Sequence, residues 1–213
     1  DIDLSATAFP YSGAREGHVA GVPATIIRVG FVGELGYEMH FPSSYGMFVW
    51  TELLQAGSAL TMRPFGVEAQ RLLRFEKGHF IVGQDTDALT TPYEANIHPL
   101  IAKKKPFFVG KRSLDIVKQR PLGRTLVGYS FPEGYTGPLP KECHLVIDQD
   151  QIAGRVTSVA NHSTLGHALG LAYVRPDLAT PGTRIQIRTQ HGHLASAEVT
   201  ALPFYDPQGR RQR

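Results

Sequence analysis

The pattern of apolar residues changes at Pro121, and this change limits the folds open to the chain. Before Pro121 the pattern alternates between helix and strand spacing. After it, short alternating segments are separated by turn residues. We predict six strands there, over residues 124–131, 143–148, 151–160, 168–174, 183–188 and 193–202. Short strands at this spacing are typical of a small antiparallel barrel or sandwich, so we expect two domains, 1–120 and 121–213.

The first domain is predicted to be of the α+β class. Strands at residues 23–31 and 37–41 form a hairpin through a turn at 32–36. Ser43 and Ser44 are candidate N-caps for a helix that ends near Gly57. Pro64 suits the first turn of a second helix reaching 77–78, and a third helix is expected over 110–118.

The composition excludes several classes of protein. Apolar residues make up 42% of the 213 residues, which is enough for an ordinary core. The sequence contains no apolar run of eighteen residues, and it begins without the features of a signal peptide, so we expect neither a membrane span nor a membrane partner. The net charge is +3, and many of the basic residues stand in short runs. These runs have no interleaved aromatic residues, so we expect no nucleic-acid partner.

Cys143 is the chain's single cysteine, so an internal disulfide or a zinc knuckle within the chain is excluded. A single cysteine favours a reducing compartment, so we expect a cytoplasmic location. His191 and His193 could supply at most two ligands, so we predict no metal site. Asp85 and Asp87 are interpreted as residues that cap their own turns, because aspartate readily binds nearby backbone N–H groups.

Two sequence blocks carry the strongest signal. The first runs from Arg28 to Glu38 and reads RVGFVGELGYE. The second begins with LRFEKG at residues 73–78 and continues with VGQDTD at 82–87 and TPYE at 91–94. In this order and spacing, together with FFVGKR at 107–112, the blocks resemble the glycine-cleavage T-protein family. The second block is most similar to the folate-binding end of the α subunit of heterotetrameric sarcosine oxidase and of dimethylglycine oxidase.

The resemblance implies a truncated folate-binding α+β domain followed by the barrel, with tetrahydrofolate as the cofactor. Flavin and NAD would belong to other parts of a longer parent protein. The residues expected to contact folate are Glu38, Phe31, Gly33, Gly36, Tyr37, Gln70 and Tyr205. The family's catalytic aspartate precedes the region matched here. We therefore expect no catalytic residue in this chain, and no transferase activity from it alone.

Glu38 is implied to hold the pterin, because a carboxylate can accept a ring N–H and the neighbouring amino group at once. Taken without its block, Glu38 would be interpreted as a surface glutamate on a polar strand face. Phe31 stands where relatives often have a tyrosine that lines the pocket, and a plain core aromatic is the alternative. Gln70 departs from the family, which has an arginine there; it keeps hydrogen-bonding capacity but cannot make a charged bidentate contact.

The implied function is transfer of a one-carbon unit from an amine-derived iminium to tetrahydrofolate, within a sarcosine-oxidase-like amine oxidase. The expected partners are folate, a small amine or aminomethyl donor, and other subunits of the oxidase. One alternative is a stand-alone aminomethyltransferase. Another is a non-catalytic folate-binding protein, although relatives of that kind carry a cysteine-containing signature that Cys143 does not match.

Overall fold

A three-stranded antiparallel sheet organises the first part of the chain. The protein is described by a computed structural model that covers residues 1–160 and 164–212. The sheet has the order β1 (Ala14–Val19), β2 (Val22–Arg28) and β3 (Tyr37–His40). Strands β2 and β3 form the predicted hairpin, in which Ile27 pairs with Glu38. Strand β1 was not predicted, because most of its side chains are exposed and it has little apolar alternation.

The two faces of this sheet differ sharply. Val22, Ala24 and Ile26 of β2 are buried, and Ala24 and Ile26 join Phe9 in a hydrophobic cluster. Because successive residues of a strand point to opposite faces, the alternate positions of all three strands share an open face. That face carries, among others, Glu16, Thr25, Ile27, Glu38 and His40.

Three α-helices also lie in the first 120 residues: α1 (Gly46–Gly57), α2 (Val67–Glu76) and α3 (Lys111–Lys118). All three helices were predicted, but the predicted starts of the first two were wrong. Ser43 and Ser44 are not N-caps; they lie in a 3₁₀ turn before α1, whose N-cap position makes no side-chain hydrogen bond. Pro64 precedes α2 by three residues, so it is not in the first turn.

The second half is a closed six-stranded antiparallel barrel, as the alternating pattern after Pro121 predicted. Around the barrel the strands follow the order β4-β7-β6-β5-β8-β9. Their bounds are β4 (Thr125–Ser130), β5 (Leu145–Asp148), β6 (Gln151–Ala160), β7 (Leu169–Val174), β8 (Arg184–Arg188) and β9 (Leu194–Thr200). In this half of the described chain, the helices are 3₁₀ turns of three residues.

Side chains from all six strands fill the barrel interior. The largest is Tyr129, which is fully buried and packs its ring edge-on against Phe131 with 5.9 Å between the ring centroids. Gly170 lies opposite Tyr129 in the β4–β7 pair, where a side chain would overlap the tyrosine ring. The barrel therefore accommodates its largest residue by placing its smallest one beside it.

The described residues divide into two compact units. One contains Asp1–Lys77 together with the C-terminal tail from Asp206, and the other contains Gly78–Tyr205. The helix α3 therefore belongs to the same unit as the barrel. A domain boundary between residues 120 and 121 rests on the sequence pattern and stays a prediction.

Candidate functional site

Glu38 lies on the open face of the three-stranded sheet. Its side chain is 58% exposed, and its Oε2 atom is 3.3 Å from Nε2 of His40, which follows it on the same face of β3. Thr25 and Ile27 of β2 lie opposite these two residues. The carboxylate is thus fixed on a strand and still accessible to a ligand that approaches the open face.

The loop before β3 is tightly folded. Gly33 has a φ of 88°, in the left-handed region that glycine adopts without strain. A Cβ atom on Gly36 would lie 2.8 Å from the carbonyl oxygen of Val29, closer than real Cβ contacts allow. Glycine is therefore needed at both positions predicted from the sequence. The reason visible here is the folding of the loop itself.

Tyr37 lies on the opposite face of β3 from Glu38. Its ring packs at a tilt against Phe9 with 5.8 Å between the centroids, and its hydroxyl donates to the carbonyl oxygen of Leu4 at 3.4 Å. The strand alternation separates it from the open face, so the structure does not bring Tyr37 and Glu38 together. A contact between Tyr37 and folate stays a prediction.

Three further residues predicted to contact folate lie outside the open face of the sheet. Phe31 is 38% exposed in the loop between β2 and β3, and Gln70 is exposed on α2. Tyr205 is half-buried and ends the unit that contains the barrel. The folate roles of these three residues stay predictions.

Arg28 opens the first motif block, and sequence reasoning gave it no role. Its side chain is buried, and Nη1 donates to the carbonyl oxygen of Phe9 at 2.7 Å. The backbone N–H of Ser12 in turn donates to the carbonyl oxygen of Arg28 at 2.8 Å. Arg28 therefore fastens the end of β2, just before the glycine loop, to the segment that precedes β1.

The C-terminal tail was also missed. Nζ of the buried Lys77 donates to the carbonyl oxygen of Asp206 at 2.7 Å and to its carboxylate at 3.2 Å. Further along the tail, Nε2 of Gln212 donates to the carbonyl oxygen of Gly30 at 2.9 Å. Contacts between residues so far apart in sequence leave no local pattern, so a single sequence could not reveal them.

Asp206 is ionised under most conditions. Its partial burial opposes the charged form, but the backbone N–H groups of Arg211 and Arg210 and the ammonium group of Lys77 outweigh it and hold the pKa of Asp206 below its ordinary value. The carboxylate is therefore a stable acceptor at the base of the tail.

The two aspartates of the second motif block have structural functions. Asp85 is fully buried and accepts hydrogen bonds from the backbone N–H of Ile81 at 2.8 Å and from the hydroxyls of Thr157 and Ser158. Asp87 accepts from the backbone N–H of Leu89 at 3.0 Å. The interpretation of both aspartates as turn caps is confirmed, and Asp85 additionally ties its turn to strand β6.

Within residues 1–160 and 164–212, no three His, Cys, Asp or Glu side chains are grouped so that they could hold a metal ion. In the same ranges no helix is long and apolar enough to cross a membrane; the longest, α1, has 12 residues.

Comparison with protein families gives two matches in the order of the chain. The family model described as the GCVT N-terminal domain matches residues 1–105. The model of the glycine cleavage T-protein C-terminal barrel domain matches residues 124–206, which include strands β4 to β9. Together the two models cover most of the chain.

Curated relatives fall into two groups. An aminomethyltransferase from Halothermothrix orenii is 37% identical over 188 residues, which are 88% of this chain and 52% of that protein. The sarcosine oxidase subunit alpha of Corynebacterium sp. strain P-1 is 33% identical over 219 residues, which are 99% of this chain and 22% of that protein. The chain spans about half the length of the aminomethyltransferases that it matches.

A solved structure shows the same fold. The crystal structure of the glycine cleavage system aminomethyltransferase T from Bartonella henselae superimposes with a TM-score of 0.80 at 23% identity, over 96% of this chain and 55% of that one. The family matches, the relatives and the barrel agree with one another. The chain belongs to the glycine cleavage T-protein family.

Proposed function

We propose that this chain is a tetrahydrofolate-binding module for one-carbon transfer, and that Glu38 anchors the pterin. The observation that carries the proposal is the position of Glu38, which lies on β3, is more than half exposed, and is preceded by a tight glycine loop. A flat heterocycle needs an open surface of this kind, with a polar group at its edge. The family membership of the chain supports tetrahydrofolate as that heterocycle.

The chemistry of the pterin suits a carboxylate. A pterin presents a ring N–H and an exocyclic amino group side by side, and the two oxygens of Glu38 can accept from both. Such charge-assisted hydrogen bonds are roughly twice as strong as neutral ones. The same paired contact fixes the orientation of the ring, which places the nitrogens that take up the one-carbon unit.

The proposed reaction belongs to the full-length protein. An amine such as sarcosine or dimethylglycine is oxidised elsewhere to an iminium. Tetrahydrofolate, held by Glu38, would supply the nitrogens that take up the iminium carbon, and the amine would depart with the two N–H protons. The product is 5,10-methylenetetrahydrofolate. The folate site contributes orientation and protection from water, and we propose that this chain alone does not turn over.

Two settings for this module differ in what surrounds it. The 22% coverage of a sarcosine oxidase subunit alpha is compatible with a module inside a long oxidase chain, whereas the aminomethyltransferases represent a shorter transferase. Gln70, which cannot supply the charge of an arginine, supports the oxidase-like setting. Flavin- and dinucleotide-binding segments in the same gene would establish the oxidase, and their absence from it would establish the transferase.

Substitution of Glu38 tests the pterin anchor. Glu38→Gln replaces one acceptor oxygen with an amide donor that would face a donor of the pterin. Leaving such a group unpaired costs about 1–3 kcal/mol, so tetrahydrofolate affinity should fall by about one to two orders of magnitude. The affinity is measured by calorimetry on the full-length protein, with thermal melts of the same samples.

Glu16→Gln is the matched control, because Glu16 is an exposed glutamate on β1 of the same open face. It should leave both affinity and melting temperature unchanged. Unchanged affinity in Glu38→Gln would make Glu38 a surface residue and would refute the proposed site. A collapsed melting temperature would assign it a structural role instead.

A further inference from the structure

We propose that the C-terminal tail, residues 206–212, positions the glycine loop that leads to Glu38, and that Gln212 is its positioning residue. The glycine loop is defined here as residues 29–36. The proposal rests on the proposed function, because it assigns to the tail a part in presenting the pterin anchor. It adds a contact at the far end of the chain that the motif blocks do not contain.

Asp206 shapes the tail into a compact turn. Its carboxylate oxygens accept the backbone N–H groups of Arg210 and Arg211, each at 3.0 Å, and its carbonyl oxygen accepts the N–H of Gly209 at 2.9 Å. Its φ of 44° lies in the left-handed region, which aspartate tolerates better than most residues. These bonds fix the direction in which the chain continues to Gln212.

Lys77 fastens the base of this turn to the end of α2. The side chains of Lys77 and Asp206 are only 6% and 9% exposed. Removing two charges from water is costly, so a buried ion pair is weak evidence of net stabilisation. We infer that this pair fixes the register of the tail.

Gln212 makes the hydrogen bond between the tail and the glycine loop. Its side chain is buried, and its amide Nε2 donates to the carbonyl oxygen of Gly30 at 2.9 Å. A Cβ atom on Gly30 would collide with the carbonyl oxygen of Glu34 and would lie 3.1 Å from the same Nε2. Gly30 is thus enclosed between the far side of its own loop and the tail.

The loop can transmit a displacement to Glu38. The two ends of the glycine loop touch, since the Cβ position of Gly36 is 2.8 Å from the carbonyl oxygen of Val29 and 3.3 Å from Cα of Gly30. Glu38 follows Gly36 by two residues, at the start of β3. Loss of the Gln212 bond would free the backbone of Gly30 and, through this closure, change how the carboxylate is presented.

The test compares Gln212→Ala with Gln208→Ala in the full-length protein. Gln208 is an exposed glutamine of the same tail, so it controls for a general effect of the tail. We expect Gln212→Ala to speed hydrogen–deuterium exchange in residues 30–36 and to weaken tetrahydrofolate binding about three- to tenfold, the effect of one lost hydrogen bond. Gln208→Ala should change neither.

A double variant separates positioning from mere stability. If Gln212 acts through the pterin anchor, its effect on affinity should shrink in a Glu38→Gln background, whereas independent effects would add. Unchanged exchange in residues 30–36 would show that Gln212 does not hold the glycine loop, and faster exchange with unchanged affinity would refute the positioning role. If the wild-type protein binds no folate, the proposed function fails, and the exchange data still decide whether Gln212 holds the loop.

Discussion

Asp85 shows how much of a motif can serve folding. The residue is fully buried, and three donors from two separate segments converge on its carboxylate. Two of these donors, Thr157 and Ser158, lie at the point where the β6–β7 register shifts. A bulge leaves the strand locally irregular, and here its hydroxyls bind the turn that contains Asp85.

Asp85→Ala should destabilise the protein strongly, because the buried hydroxyls of Thr157 and Ser158 and the part-buried N–H of Ile81 would lose their acceptor. A hydrogen bond to a charged group is worth about 1.5–3 kcal/mol, so the free energy of unfolding should fall by about 3 kcal/mol or more. Asp87→Ala is the matched control, since Asp87 is about half exposed and caps its turn from the surface. Its loss should cost about 1 kcal/mol. Urea unfolding monitored by circular dichroism measures both, and equal losses would contradict the role assigned to Asp85.

Asp206 should make stability depend on pH in the acid range. Its native pKa lies below the ordinary value of 3.8, so its contribution is fully present above about pH 4 and is lost as the pH falls through the native value. The difference in melting temperature between the wild type and Asp206→Asn should therefore be constant near neutral pH and shrink below pH 4. A difference that stayed constant down to pH 2 would show that the carboxylate charge does not hold the tail.

The sequence predicted single residues well where their role is local. Asp85 and Asp87 were interpreted correctly because aspartate in a turn acts on its near neighbours. Tyr37 is adjacent to Glu38 in the motif, but neighbouring residues of a strand point to opposite faces, so its contact with folate stays a prediction. Gln212 lay beyond reach, because its partner Gly30 is 182 positions away.

Among the elements, the barrel was the easiest to predict. Most of its strands alternate or are continuously apolar, and Gly or Pro residues separate many of them, so these strands have their own signals. The starts of the first two helices were predicted wrongly. Serine is generally a good N-cap, but Ser43 and Ser44 lie in a 3₁₀ turn that ends just before α1, so neither residue occupies the N-cap position. Strand β1 has exposed side chains and forms by pairing with β2.

Gly170→Ala should destabilise the barrel. The added methyl would overlap the ring of Tyr129, which is fully buried and cannot swing out to solvent. Overpacking of this kind costs about 1–3 kcal/mol. Gly123→Ala is the control, because a Cβ there meets open space and its φ is not in the left-handed region. The denaturant midpoints of the two variants are compared with that of the wild type. An unchanged midpoint for Gly170→Ala would show that the barrel interior has room for the added methyl group.

At the scale of the whole molecule, the two compact units are interleaved along the chain. The polypeptide leaves the first unit after Lys77, builds the unit Gly78–Tyr205, and returns to the first unit at Asp206. The family matches run in the simpler order of N-terminal domain and then barrel. Sequence patterns predict that order of domains. They do not predict the return of the tail, because it depends on long-range contacts with Lys77 and Gly30.

Removal of the tail should therefore weaken one unit and spare the other. A chain that ends at Tyr205 lacks Asp206 and Gln212, and so it leaves Lys77 buried without its ion-pair partner and Gly30 without its donor. An uncompensated buried charge costs about 3–5 kcal/mol, so the first unit should unfold at a lower temperature.

The chain's single tryptophan, Trp50, lies in α1 and reports on that unit by fluorescence, while hydrogen exchange of strands β4 to β9 reports on the barrel. We expect the fluorescence transition to move down and the barrel amides to keep their protection. If both signals shift together, the two units unfold as one, and an unchanged fluorescence transition would show that the tail does not stabilise the first unit.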